Sequence, residues 1–262
     1  MALMDDMRLD GRVALVTGAS HGIGEEMAVA FAEQGADIAL AARSQADLER
    51  VAERIRALGR RAAVVPTDVA DLAAIQTMVS RTVDELGPPD ILANVAGLTR
   101  RKSLLEVTPE DWDYVINVNL RGLYFVTQAV GRHLTEQQRG KVINIASMTS
   151  FRGFADISLY GITKSAVVQF TKGMAVEWAP YNIQVNAIAP GWIETPMTVT
   201  MAPSRRRWVE EHVPQGKYGT PRDLCHMAVY LASAASDYVT GQTFAIDGGF
   251  LAGNPWPPLD PA

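Results

Sequence analysis

A phenol and an ammonium stand four residues apart in Tyr160-Gly161-Ile162-Thr163-Lys164. On a helix that spacing puts both groups on one face, a turn apart. With an ordinary pKa of about 10, tyrosine gives up or takes a proton reluctantly near neutrality. A neighbouring ammonium favours the phenolate and lowers that pKa. The pair therefore fits proton exchange with an oxygen that alternates between carbonyl and alcohol, as hydride transfer to a ketone requires. By itself the spacing arises by chance about 0.13 times in a chain of this composition, so context must support it. Ser147 supplies some: it lies 13 residues before Tyr160, just past an apolar run at 141–145. The carboxyl ends of strands are where open α/β sheets hold their ligands.

A second constellation precedes it. The run Val13-Ala14-Leu15-Val16-Thr17 enters Gly18-Ala19-Ser20-His21-Gly22-Ile23-Gly24 and then a helical pattern with Met27, Val29, Ala30 and Phe31. Glycines permit a tight turn and close approach of a diphosphate, and the helix start offers free N–H groups and a positive dipole. The spacing is G-x-x-x-G-x-G rather than the common G-x-G-x-x-G. Where the ribose 2′-hydroxyl of NAD wants an acid, near the end of the second strand, the sequence has Arg43 and Ser44. Together they can hold a 2′-phosphate, so NADP is expected, with NAD as the alternative. Asp37 sits at the opposite end of that strand.

The elements that must position these groups follow from apolar periodicity. Strands are predicted at 13–17, 37–41, 62–65, 91–95, 141–145, 183–187 and 243–246, mostly as continuous apolar runs that are buried on both faces. Helical patterns fill the gaps. Between 48 and 58, Leu48, Val51, Ile55 and Leu58 share one face, and Gly59 ends the run. Thr108-Pro109-Glu110-Asp111 and Thr220-Pro221-Arg222-Asp223 read as capped helix starts. The β-α-β repetition predicts one Rossmann-type, doubly wound α/β domain over 1–262, with a seven-stranded parallel sheet flanked by helices on both faces. A substrate lid is expected at about 197–218 and a proline-rich tail at 254–262, the latter a loose end or an arm on a neighbouring subunit.

From Val13 to about Gly249 the chain resembles the short-chain dehydrogenase/reductase family. The resemblance rests on Thr17-Gly18 through Gly24, Asp68-Val69, Asn94-Val95-Ala96-Gly97, Ser147, the Tyr160/Lys164 pair, Pro190-Gly191 and Thr195-Pro196. It implies that Ser147 donates to the substrate oxygen and Tyr160 gives or takes its proton. Lys164 would bond the nicotinamide ribose and hold the tyrosine's pKa down, and Asn119 would position a water feeding protons to the lysine. Dinucleotide contacts are implied for Gly18, Ser20, His21, Gly22, Ile23 and Gly24, for Asp68 and Val69 at the adenine, and for Asn94, Ala96 and Gly97. Pro190, Gly191, Ile193 and Thr195 would receive the nicotinamide end. Val95 replaces the family's second Asn, which normally supports the sheet. A symmetric homotetramer is implied as well.

Substrate choice falls to 98–102, 148–158 and the lid, where Arg100, Arg101, Arg152 and Arg205, Arg206 and Arg207 are candidates to clamp a carboxylate. The stretches Gly97-Leu98-Thr99-Arg100-Arg101, Asn144-Ile145-Ala146-Ser147-Met148 and Ser236-Asp237-Tyr238-Val239 resemble the sugar-acid branch, the gluconate and 2-dehydro-3-deoxy-gluconate 5-dehydrogenases. A 3-oxoacyl thioester reductase and a broad-range ketone reductase are the rival enzymes, and a dinucleotide-binding sensor without turnover is the rival class. The net charge of −5 argues against a nucleic-acid partner. A single cysteine, Cys225, excludes an internal disulfide, and no bilayer-spanning run or signal pattern is read, so a cytoplasmic protein is expected. Scattered histidines and the lack of ligand spacings predict no metal.

Overall fold

In the computed structural model, which describes residues 3–199 and 201–253, the apolar runs become strands β1 (Val13–Thr17), β2 (Asp37–Ala42), β3 (Ala62–Pro66), β4 (Ile91–Asn94), β5 (Gly140–Ile145), β6 (Ile183–Pro190) and β7 (Thr243–Ile246). All pair in parallel in the order β3-β2-β1-β4-β5-β6-β7. Helices α1 (Gly22–Glu33), α2 (Gln45–Ala57), α3 (Leu72–Leu86), α4 (Pro109–Ile116), α5 (Leu123–Gln137), α6 (Ser158–Trp178), α7 (Pro196–Val199), α8 (Pro203–His212) and α9 (Pro221–Ala232) connect them. The expected doubly wound sheet is thus present. The expected tail at 254–262 lies outside the described residues.

Two apolar cores explain why the strands lack alternation. On one face Phe31, Leu48, Ile55 and Leu224 pack under α1, α2 and α9. On the other, Met78, Val130 and Trp178 pack under α3, α5 and α6. Both threonine caps form reciprocal capping boxes, with Asp111 and Asp223 as the returning acids. Strand β6 runs three residues beyond the predicted end, to Pro190, which sits last in the ladder opposite Ile246 and so needs no ladder N–H. Asp37, at the amino end of β2, is held by Arg60 and Arg61 at 2.7 Å each, far from any ribose-reading position.

A buried polar line crosses the sheet just beneath its carboxyl ends. Asn94 Nδ2 donates to Thr127 Oγ1 at 2.8 Å and to Asn144 Oδ1 at 2.9 Å. Asn144 Nδ2 in turn donates to Thr171 Oγ1 at 2.9 Å. This line fastens α5 and α6 to β4 and β5, so Asn94 acts here as a clamp of the sheet. Asn94→Ala is expected to destabilise the protein by about 2 kcal/mol, because two buried acceptors lose their donor. The midpoint of urea unfolding measures it, and an unchanged midpoint would contradict the assignment.

Candidate active site

The strand order reverses between β1 and β4, where the chain leaves the sheet in opposite directions and a crevice opens. Two adjoining clefts lie along these carboxyl ends and share Gly18, His21, Ala96 and Gly97. Thr17 keeps the crevice in register. Its Oγ1 accepts from Val95 N at 3.1 Å and Ala96 N at 3.3 Å, tying the end of β1 to the segment after β4. Val95, in place of an Asn, packs partly buried against the apolar core, so the substitution leaves the packing intact.

The glycine turn is built too tightly for side chains. Gly18 has φ +69°, and a Cβ there would come within 2.8 Å of the Ala96 backbone. A Cβ on Gly24 would meet the Gly18 oxygen at 2.2 Å. The turn and the start of α1 therefore bare their main chain to the cleft, a surface that fits a diphosphate. Gly22, Ile23 and Gly24 line the first cleft, as do Pro190, Gly191, Ile193 and Thr195 after β6. Ser20, Arg43, Ser44, Asp68 and Val69 line the second. The Ser44 Oγ caps α2 by accepting from Asp47 N at 3.4 Å, which leaves its proton to donate to a ligand beside the Arg43 guanidinium. This donor set fits a 2′-phosphorylated ribose.

Ser147, Tyr160 and Lys164 meet in the first cleft. Ser147 follows β5 directly and shares the cleft wall with Tyr160, its Oγ accepting from Thr149 N at 3.1 Å. Lys164 is buried, its Nζ donating to the Ile145 carbonyl at 2.6 Å and lying 5.7 Å from the Tyr160 ring centroid. Burial pushes the Lys164 ammonium down to about 8. The expectation of a lowered tyrosine pKa is not met in the protein alone. Burial of the phenol raises it and outweighs the opposite pull of Ser147 and Arg101. Loss of water disfavours phenolate more than these neighbours favour it.

Two predicted residues stand behind the clefts. Asn94 lines neither cleft, its Nδ2 being engaged by Thr127 and Asn144. Asn119 is fully buried in a π-helical turn, Asn117–Gly122, between α4 and α5. Its Oδ1 accepts from Leu98 N at 2.9 Å, and Nδ2 donates to Leu98 O at 2.8 Å and Thr163 Oγ1 at 3.2 Å. It thus fixes the Gly97–Leu98 segment against α6; the amide's hydrogen bonds go to protein groups.

Of the candidate arginines, Arg101 alone lines the first cleft. Arg100 lies over the Tyr114 ring, Arg152 over Phe250, and Arg206 pairs with Glu194. Trp192, absent from the sequence reading, forms part of the cleft wall and contacts Phe154, Trp208 and Tyr218 edge-on. Its place between Gly191 and Ile193 was the available signal. Within the expected lid, Met197 and Thr198 reach the cleft, while Val209, Val213 and Tyr218 anchor α8 in a small core of their own with Phe250.

A family model described as enoyl-(acyl carrier protein) reductase matches residues 18–251. A 2-dehydro-3-deoxy-D-gluconate 5-dehydrogenase of Dickeya dadantii is 42% identical over 253 residues, covering 95% of this chain and 99% of its own. A 3-oxoacyl-(acyl-carrier-protein) reductase of Thermotoga maritima is 38% identical, covering 94% and 100%. The crystal structure of a gluconate 5-dehydrogenase from Burkholderia cenocepacia J2315, in complex with NADP and tartrate, superposes with a TM-score of 0.92 at 40% identity, over 96% of this chain and all of that one.

The depressed Lys164 carries a consequence for stability. Its folded value near 8 lies below the ordinary 10.5, so the unfolded chain binds more protons between these values and stability rises with pH there. Below that window the buried ammonium is destabilising. Lys164→Met is expected to abolish turnover yet stabilise the fold by about 2 kcal/mol at pH 7, a gain that fades toward pH 10. Thermal unfolding across pH measures this; a lower Tm at pH 7 would contradict the burial penalty.

Proposed function

This chain belongs to the short-chain dehydrogenase/reductase family, and on that premise we propose that it interconverts a secondary alcohol and a ketone of a sugar acid with NADP(H). The observation that carries the reading is the meeting of Ser147, Tyr160 and Lys164 in a cleft continuous with the one lined by Arg43 and Ser44. NADP(H) bound along the two clefts would supply or accept the hydride. Gly18 to Gly24, Asp68, Val69, Ala96 and Gly97 would hold its adenosine and diphosphate part. Pro190, Gly191, Ile193 and Thr195 would hold its nicotinamide end.

The chain's own groups handle the proton. Ser147 donates to the substrate oxygen and so fixes it beside the Tyr160 hydroxyl. Tyr160 gives its proton to that oxygen when the ketone is reduced and recovers it when the alcohol is oxidised. Burial keeps the proton on the phenol until an acceptor arrives, and the Lys164 ammonium stabilises the phenolate that remains. Asn119 acts as a positioning residue through Leu98 and Thr163.

Two observations support a sugar acid. The Dickeya and Burkholderia relatives are named for gluconate-type substrates, and Arg101 offers a guanidinium at the cleft that can take a carboxylate in two parallel bonds. The Thermotoga relative supports the second reading, reduction of a 3-oxoacyl thioester. A symmetric homotetramer fits the large apolar side chains exposed on α5 and α6, Tyr124, Ile162 and Val176, and on Tyr238 before β7. Among the described residues no helix is long and apolar enough to cross a membrane. The buried lone thiol of Cys225 fits a reducing, cytoplasmic setting.

Following NADPH absorbance with 5-keto-gluconate, 3-oxoacyl thioesters and simple ketones tests the proposal. The expected outcome is oxidation of NADPH with 5-keto-gluconate, and slower turnover with NADH. Turnover confined to thioesters would replace the sugar-acid reading, and NADPH binding without oxidation by any ketone would replace the enzyme with a sensor.

A further inference from the structure

Behind the glycine turn stands a charge cluster that neither catalysis nor direct cofactor contact uses. Glu25, in the first turn of α1, is largely buried, and its carboxylate sits in the fork of Arg50 from α2. Nη1 donates to Oε1 at 2.6 Å and Nη2 to Oε2 at 2.8 Å. Arg54, one turn further along α2, also bonds Glu25 and pairs with Glu26 at 2.9 Å. An acid beside a turn that receives a diphosphate repels it unless neutralised, and the guanidiniums do so.

Arg50 does more than cancel charge. Its Nη2 also donates to the main-chain oxygen of Ser20 at 2.9 Å. In a planar trans peptide the carbonyl and the following N–H point in opposite directions. Drawing the Ser20 carbonyl toward α2 therefore turns the His21 N–H away from α2, and His21 lines both clefts.

We propose that Arg50, locked in place by Glu25, is a positioning residue that orients the 20–21 peptide so that the His21 N–H meets the diphosphate. The proposal rests on the dinucleotide-binding reading of the preceding subsection. A planar guanidinium holds the carboxylate bidentately while the same nitrogen reaches the carbonyl; the compact ammonium of a lysine cannot reproduce that fork. The diphosphate is common to NADPH and NADH, so the effect must be the same for both. Arg54 is the internal control, since it shares the carboxylate and has no hydrogen bond to Ser20.

The test is fluorescence titration of NADPH and NADH into the wild type, Arg50→Met and Arg54→Met, with Tm recorded for each. Arg50→Met is expected to weaken both cofactors about tenfold, the scale of one charge-assisted bond, with Arg54→Met within about threefold of wild type. Should Arg50→Met fail to fold, Arg50→Lys carries the same expectation. The proposal is overturned by unchanged affinity in the Arg50 variant, by equal losses in both arginine variants, or by a loss confined to NADPH. A shared drop in Tm without loss of affinity would also overturn it, leaving a purely structural network. A wild type that binds neither dinucleotide would instead overturn the underlying reading.

Discussion

The buried ammonium of Lys164 sets the terms on which the rest of the site is organised. It donates to the Ile145 carbonyl at 2.6 Å, at the end of β5, and has lost most of its contact with water. A charge withdrawn this far destabilises a fold unless nearby groups use it. Here Tyr160 stands one turn before it on the same helix. Gly97 adjoins both Lys164 and Asn119: a Cβ there would lie 3.5 Å from Nζ of the one and Oδ1 of the other, ordinary contact distance. The cation thus lies 5.7 Å from the Tyr160 ring centroid, and the polar line through Asn94 and Asn144 secures the strands and helices that hold it.

Parallel strands deliver the parts in sequence. Each strand ends on the same side of the sheet, so Thr17 and the glycine turn, the 95–97 segment, Ser147 and Pro190 arrive together although they are far apart in the chain. Helix α6 then brings Tyr160 and Lys164 over the end of β5. The second cleft extends away toward β2, so Arg43 and Ser44 line a region apart from Tyr160, which lines the first.

Much of this was legible before any coordinates. Continuous apolar runs marked the strands because burial on both faces leaves no alternation to misread, and Thr108 and Thr220 announced their helices through their caps. The Tyr160/Lys164 pair was visible because both groups lie on one helix. What escaped depends on contacts between distant elements. Periodicity says nothing of which arginine faces a cleft, so six candidates stood where Arg101 alone lines it. The fork of Arg50 on Glu25 and the commitment of Asn119 to Leu98 are likewise tertiary facts. The upward push on the Tyr160 phenol in the protein alone is of the same kind: spacing reveals a neighbouring charge, and burial appears only once the chain has folded.

The central claim is that the Tyr160 hydroxyl carries the proton while other groups hold the dinucleotide. The most direct measurement is the turnover of Tyr160→Phe at saturating NADPH, in protein whose NADPH affinity is determined alongside. Turnover is expected to fall about a thousandfold, with affinity within about threefold of wild type. A phenylalanine variant that keeps more than a tenth of the activity would contradict it.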